Sequence, residues 1–235
     1  MPFDRTLPFN DLPPLPPAVD LETNLVLKKC IGARSALAEL KGVGDTIPNQ
    51  ALLIRFIGLQ EARSSSEIEN IVTTTDDLYQ ALADSIHRTS PATKEVLRYQ
   101  EALQDGFREL AEKPFLTTSL FCNLASRIKQ CDMNIRTMPG TRIEAGQGNV
   151  IYTPPEGEAV IRDKLKNLED YINTETDVDP LIKLAVMHYQ FEAIHPFIDG
   201  NGRTVRILNV LYLVQQSWSP NFRPPAKVES ATPKS

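Results

Sequence analysis

The sequence is poor in cysteine and histidine, has one tryptophan, and carries no surplus of positive charge. Its three cysteines, Cys30, Cys122 and Cys131, show no C-x-x-C spacing, which excludes a disulfide framework and a cysteine-built zinc site. They read as small buried thiols in a reducing compartment. With three histidines in all, His87, His188 and His195, a metal centre built on histidine is a thin reading. A net charge of -5, from 25 basic and 30 acidic residues, gives no general attraction to nucleic acid or anionic membrane, so any anion must be met by a local cluster. No apolar run reaches the roughly 18 to 20 residues of a membrane span, and the N-terminal segment lacks the basic start and apolar stretch of a signal peptide. The expectation is a cytoplasmic protein with neither a nucleic-acid nor a membrane partner.

What is there is enough apolar residue, 41% of the chain, to fill a core. Residues 1–19 are rich in proline, and "PPLPP" at Pro13–Pro17 favours an extended arm, either a strap over the surface or a proline motif for a partner. From Asp20 the rhythm turns helical, with Leu21, Leu25, Ile31, Leu37 and Leu40 marking one stripe and Gly42 available to end it. The "GVG" at Gly42–Gly44 reads as a turn, since it lacks the lysine and further glycine of a phosphate loop. Helices are then expected after Pro48, near "TTDDLYQALADSIHR", from Pro91 behind a Ser90 cap to Lys113, and through "TTSLFCNLASRIKQ". Glycines and prolines bracket a β-prone "NVIYT", which predicts a short hairpin. Two further helices precede "GRTVRILNVLYLVQQ", which is apolar nearly all round and so belongs at the centre of a bundle. The fold class is mainly α: a helical bundle around a buried active-site helix, with a short β-hairpin. Residues 20–114 form an N-terminal helical region, 115–216 the core, and 217–235 a tail without helical periodicity.

The chemistry concentrates in "HPFIDGNGRTVR", His195–Arg206. A loop containing Gly200 and Gly202 opens the apolar helix, where backbone amides and the helix dipole favour an anion. Arg203 and Arg206 lie on one face of that helix, and their guanidinium forks match phosphate oxygens. Asp199 offers a hard oxygen for magnesium beside phosphates. His195 can titrate near neutral pH and act as a general base on a hydroxyl. A calcium EF-hand fails on spacing, because its glycine falls at Thr204 and its terminal glutamate at Val210. A glycine turn whose arginines merely pair with carboxylates explains any two of these residues, but the full set poorly.

The stretch resembles the signature of the Fic family, HxFx(D/E)GNGRxxR, at every fixed position. By that resemblance residues 115–216 are the Fic core, and the protein transfers AMP from ATP to a Ser, Thr or Tyr hydroxyl of a target protein, releasing pyrophosphate. His195 would be the base, Asp199 would hold Mg2+, Asn201 and Gly202 would hold the α-phosphate beside Gly200, and Arg203 and Arg206 would anchor the outer phosphates. Phe197 would pack inward and steady the loop. Val150, Ile151, Tyr152 and Thr153 look like the flap that pins a target's backbone. A phosphorylating relative of the family departs from the GNG pattern with a lysine; both glycines stand here, which favours nucleotidyl transfer.

"SSSEIEN", Ser64–Asn70, carries two readings. Ser66 and Glu69 satisfy a capping box at a helix start; Ser65, Glu69 and Asn70 also resemble the family's inhibitory pattern (S/T)xxxE(G/N), in which Glu69 would reach Arg206 and autoinhibit transfer. The same glutamate could support removal of AMP. The proline-rich segment after Gln216 departs from relatives that continue into further helices, so the face Ile207–Leu213 is expected to be exposed and to invite a partner or a homodimer. A truncated or degenerate Fic protein acting as a non-catalytic nucleotide-binding module is the competing function.

Overall fold

The computed structural model of the chain describes residues 3–44, 46, 50–83, 89–146 and 148–217. Among them the order is α1 (Asn24–Gly44), α2 (Gln50–Glu67), α3 (Thr75–Ala83), α4 (Pro91–Glu112), α5 (Thr118–Lys129), β1 (Ile143–Ala145), β2 (Asn149–Tyr152), α6 (Glu158–Asn173), α7 (Pro180–Ile194) and α8 (Asn201–Ser217). Local chemistry sets the boundaries. Ser90 Oγ accepts the Thr93 amide at 3.1 Å, and Pro91 occupies a first-turn position where no N–H is needed. Thr117 Oγ1 accepts the Leu120 amide at 3.2 Å to start α5, and Gln130 ends it in the left-handed region at φ 56°. Asp179 caps α7 through the Leu181 amide, again with proline in the first turn.

The apolar helix α8 takes the central place that its composition predicts. Helices α4, α5 and α7 pack around it, and Val205, Ile207, Leu208 and Leu211 have no exposed surface. The face Ile207–Leu213 is therefore covered by this chain's own helices, which corrects the expectation that it stands exposed. Gly106 of α4 packs tightly on α8 and α5, for an added Cβ would lie 2.7 Å from Leu211 Cδ1 and 3.3 Å from Leu124 Cδ2.

The proline-rich arm is a strap. Leu12 and Leu15 enter the core, and side chains of α6 and α7 satisfy the arm's backbone. Asn167 binds Leu15 twice, accepting its N–H at 2.7 Å and donating to its carbonyl at 2.9 Å; Lys164 and Gln190 donate to the carbonyls of Leu12 and Pro13 at 2.8 and 2.9 Å. The register of these bonds fixes the two leucines inward.

Three expectations change. Gly42–Gly44 continue α1 to its last residue rather than forming a turn, since a glycine near a helix end costs only about 1 kcal/mol. Helix α1 has the predicted stripe but buries none of it: Leu25, Ile31, Leu37 and Leu40 are exposed. The helix lies along α7, with an Arg34–Asp179 ion pair at 2.6 Å, so among the described residues periodicity produced a helix without a second layer to cover its stripe. The cysteines are not buried either; Cys30 and Cys122 are half-buried and Cys131, in the bend after α5, is exposed. The expected tail 217–235, apart from the last residue of α8, and the end of the third helix with His87 lie outside the described residues.

The α4–α8 approach is testable. Gly106→Val forces Leu211 and Leu124 aside and should lower unfolding free energy by about 1–3 kcal/mol in urea titration. Gly42→Ala, with no atom within 4 Å of its new Cβ, should be neutral or stabilising by up to ~1 kcal/mol.

Candidate active site

Helix α7 runs into the site and α8 runs out of it. His195 is the C-cap of α7, in the left-handed region at φ 49°, ψ 60°, its N–H donating to Phe191 O at 2.9 Å. A non-glycine residue holds that conformation only where its surroundings insist. Arg136 supplies the constraint. Its Nε donates to His195 O at 2.8 Å, its Nη2 to Pro155 O at 2.5 Å and Ile194 O at 3.3 Å, and its backbone N–H to Pro196 O at 2.9 Å. The guanidinium thus closes the carbonyl end of α7, where a cation is favoured, and ties it to the segment after β2.

Burial pushes the His195 imidazole down to about 4, and the Arg136 charge adds to that, against the opposing pull of Asp199. The ring is neutral at pH 7, as a base must be. Its buried Nδ1 lies 3.8 Å from Glu192 Oε2, and a contact with the Glu192 backbone opposes the downward shift ahead of Asp199. Burial raises the Glu192 carboxyl as well, against the Arg206 charge.

The loop is closed from inside. Phe197 is fully buried, its ring 6.2 Å from that of Phe191. The buried Asn201 amide accepts the Phe197 N–H at 2.9 Å and donates to the Phe197 carbonyl at 2.8 Å, so its side chain is engaged with the loop itself. Gly200, at φ 78°, makes the reversal that only glycine adopts freely. The first intrahelical bond of α8 is Thr204 N–H to Gly200 O, 3.0 Å; the amides of Asn201, Gly202 and Arg203 precede it and open the helix toward the cleft.

Three cations and three carboxylates meet at this helix start. Arg203 has 1% of its surface exposed; its Nη1 donates to Glu95 Oε1 at 2.5 Å, and its Nη2 lies 3.6 Å from Asp199 Oδ1. Its Nε comes within 2.6 Å of Glu69 Oε2, a charge contact whose N–H direction falls outside hydrogen-bond geometry. Arg206 Nη2 donates to Glu69 Oε1 at 2.8 Å and to Ser65 O at 3.0 Å, and its Nε to Ser65 Oγ at 2.5 Å. Glu69 therefore bridges both arginines, where the sequence pointed only to Arg206. A Cβ on Gly202 would lie 2.8 Å from both Arg206 Nη1 and Glu69 Oε1, so glycine there leaves the room this pair uses. Asp199 meets Lys129 Nζ at 2.5 Å. Burial raises its carboxyl, but Lys129, the Gly200 amide and Arg203 together hold it below the ordinary carboxylate range. The open cleft of ≈ 570 Å³ beside these groups is lined by Glu69, Glu95, Lys129, His195, Asp199 and Arg203, among others.

The segment bearing Glu69 is not a helix start. Helix α2 runs through the serines to Glu67, and the Asn70 and Ile71 amides donate to the carbonyls of Glu67 at 3.0 Å and Ser66 at 3.1 Å. These are the two bonds of a Schellman cap, with Asn70 at φ 61° in the left-handed position that takes glycine or asparagine. The capping-box alternative is thereby set aside: Ser66 Oγ is buried without a partner, and Glu69 occupies the C-terminal cap position facing α8.

The hairpin pairs Glu144 with Val150 and Ala145 with Asn149, antiparallel. Tyr152 Oη donates to Ala193 O at 2.9 Å, which fastens the flap to the last turn of α7. Val150 is half-buried and Ile151 exposed. Thr153 is buried beneath the arm, its carbonyl accepting the Phe9 N–H at 3.0 Å and its hydroxyl donating to Arg5 O at 2.8 Å; that residue serves the arm. Glu95, Lys129 and Arg136 were not singled out in the sequence. The first two sit at the edges of apolar stripes of α4 and α5, and Arg136 is a lone basic residue in a loop. Among the described residues no group of three or more His, Cys, Asp or Glu could hold a metal ion. Asp199 is the carboxylate that a cation shared with phosphate oxygens would use.

Residues 27–108 match the profile described as the Fic/DOC family N-terminal region, and residues 115–213 that of the Fic/DOC family. Protein adenylyltransferase fic-1 of Caenorhabditis elegans is 37% identical over 75 residues, 31% of this chain and 15% of that protein. Protein adenylyltransferase Fic of Drosophila willistoni is 36% identical over 89 residues, 35% of this chain and 18% of that protein. The stretches matched are thus less than a fifth of those relatives. In fold, the chain is similar to residues 134–508 of Fic-1 from C. elegans, with a TM-score of 0.64 at 20% identity, covering 84% of this chain and 61% of the other. A Fic family protein from Desulfovibrio desulfuricans G20 superposes with a TM-score of 0.60 at 24% identity, covering 88% and 61%.

The depressed His195 has a thermodynamic signature. Between its ordinary value of 6.5 and about 4, the unfolded chain binds a proton there that the folded chain does not, so stability falls as pH drops through that window and levels off below it. The wild type should lose roughly 3 kcal/mol more than His195→Gln between pH 6.5 and 4, measured by denaturant unfolding at each pH.

Proposed function

The chain belongs to the Fic/DOC family, and from that premise we propose that it is a protein adenylyltransferase, held in check by Glu69. The observation that carries this reading is a neutral His195, fixed at the C-cap of α7, sharing one cleft with the open amides of α8, with Arg203 and with the Glu69 carboxylate that ties Arg206 to it.

In the proposed reaction a hydroxyl of the target protein attacks the α-phosphorus of ATP. The new O–P bond forms as the bond to the bridging oxygen of the β-phosphate breaks, and pyrophosphate leaves. His195 accepts the hydroxyl proton, and its neutral state means that no prior deprotonation is required at pH 7. The amides at the start of α8 offer donors to the phosphate, with the loop kept in shape by Asn201, Phe197 and Gly200. Mg2+, when bound at Asp199 and phosphate oxygens, would supply charge neutralisation. Of the flap residues, the exposed Ile151 and half-buried Val150 are the ones open to a target's backbone, and Tyr152 keeps the hairpin against α7.

Glu69 lies where the outer phosphates of ATP would meet the arginines. A single carboxylate bridging two guanidiniums satisfies both at once, so a nucleotide entering productively must displace it. Ser65 gives the arrangement a second function: with Glu69 gone, its hydroxyl and carbonyl still hold Arg206, which keeps the anchor in place for phosphate.

The test is incorporation of label from α-labelled ATP with magnesium. Glu69→Gly should raise self-labelling or target labelling by about tenfold or more, the equivalent of ~1.4 kcal/mol of displaced ion pairing. Adding His195→Ala should lower it again by about 10²–10⁴-fold. No label in the folded Glu69→Gly protein would instead favour the non-catalytic module; loss of AMP from a pre-modified target, dependent on Glu69, would favour removal.

A further inference from the structure

Lys129, the last residue of α5, takes no part in the family resemblance, yet its ammonium rests on the carboxylate assigned to the metal. Nζ is 2.5 Å from Asp199 Oδ2 and 3.6 Å from Glu95 Oε1, and the side chain is three-quarters buried, with 25% exposed. Glu95 is itself anchored, since the same Oε1 accepts Arg203 Nη1 at 2.5 Å. The ammonium therefore lies between two carboxylates, one pinned by a buried guanidinium and one at the cleft wall, where Asp199 is 54% exposed.

A cation in contact with Asp199 Oδ2 stands where any other cation on that oxygen would stand, and two cations at such a distance repel strongly in a partly desolvated cleft. Lysine suits a temporary occupant: it is a point charge on a flexible stem and can move between acceptors without the directional demands of a guanidinium. Glu95 retains lone pairs beyond the one it gives Arg203, so the displaced ammonium has somewhere to go. The six groups also balance. Lys129, Arg203 and Arg206 face Asp199, Glu95 and Glu69, so each carboxylate already has a cation, and a metal on Asp199 Oδ2 needs the ammonium to leave that oxygen.

We propose that Lys129 is a built-in competitor for the divalent cation: it holds Asp199 in the metal-free protein and shifts onto Glu95 when the metal arrives. This rests on Asp199 being the metal ligand, as in the proposed function, and adds a residue that sets how much metal the site requires.

Binding of Mn2+, followed as loss of the free-ion electron paramagnetic resonance signal, tests it without turnover. The full chain carrying Glu69→Gly is saturated with α,β-methylene ATP, and the apparent Mn2+ dissociation constant is compared among variants. Lys129→Gln and Lys129→Met should each lower it by about fivefold or more, because the tethered competitor is gone. Arg127→Gln removes the same charge from the same helix, outside the cleft, and should change it by less than about twofold. Asp199→Asn should raise it at least about tenfold. If Asp199→Asn weakens Mn2+ binding while the Lys129 variants leave it unchanged or weaker, the competitor role fails and the proposed function stands. If Asp199→Asn has no effect, the metal assignment and the competitor role fail together. A gain for Arg127→Gln equal to that for Lys129→Gln would reduce the effect to net charge and overturn the proposal.

Discussion

The site depends on one buried charge. Arg203 enters the core from the first turn of α8 with almost no exposed surface, and a guanidinium in that position is tolerable only if carboxylates come to meet it. Glu69 arrives from the end of α2, Glu95 from α4 and Asp199 from the α7–α8 loop. Three separate parts of the chain are thereby brought to one point by the need to compensate a single cation. That need also explains how the segment bearing Glu69 is held: the carboxylate that bridges the two arginines is part of what makes burying one of them acceptable. Release of Glu69 has to be accompanied by another anion at the same place, and a nucleotide's phosphates are such an anion.

Around this charge the backbone is held in two left-handed turns. At Asn70 the turn is the end of a Schellman cap and directs Glu69 toward α8. At His195 it turns the chain out of α7 and places an imidazole at the cleft. The first uses a residue type that accepts positive φ readily. The second is a strained position secured by Arg136, whose donors reach His195, Ile194 and Pro155. The cationic neighbour that secures the histidine also helps keep it neutral, so one residue sets both the position and the charge of the ring.

The parts read correctly from sequence were those governed by local rules. Ser90–Pro91 began a helix because hydroxyl capping and a missing N–H are decided within one turn. The nearly all-round apolar character of residues 204–214 placed α8 at the centre, since such a helix has little polar face to give to water. The readings that changed depended on partners far along the chain. The stripe of α1 looked like a core face, but nothing covers it among the described residues; the face Ile207–Leu213 looked uncovered, but α4, α5 and α7 surround it. "SSSEIEN" carried a capping-box pattern and an inhibitory pattern at once, and the path of α2, which runs through the serines to Glu67, set the capping box aside.

The sequence by itself determined the inventory and its local geometry: a histidine, an aspartate, glycines and two arginines around one helix start, a glutamate followed by a residue able to take positive φ, and a proline arm that could not be helical. Tertiary structure decided which charges meet. Glu95 and Lys129 lie 108 and 70 residues from their partners Arg203 and Asp199, and as charged residues at the edges of amphipathic helices they look like any solvent-facing pair. They became part of the site because packing α4 and α5 against α8 removed water from that corner, and in a desolvated corner every charge must find its opposite.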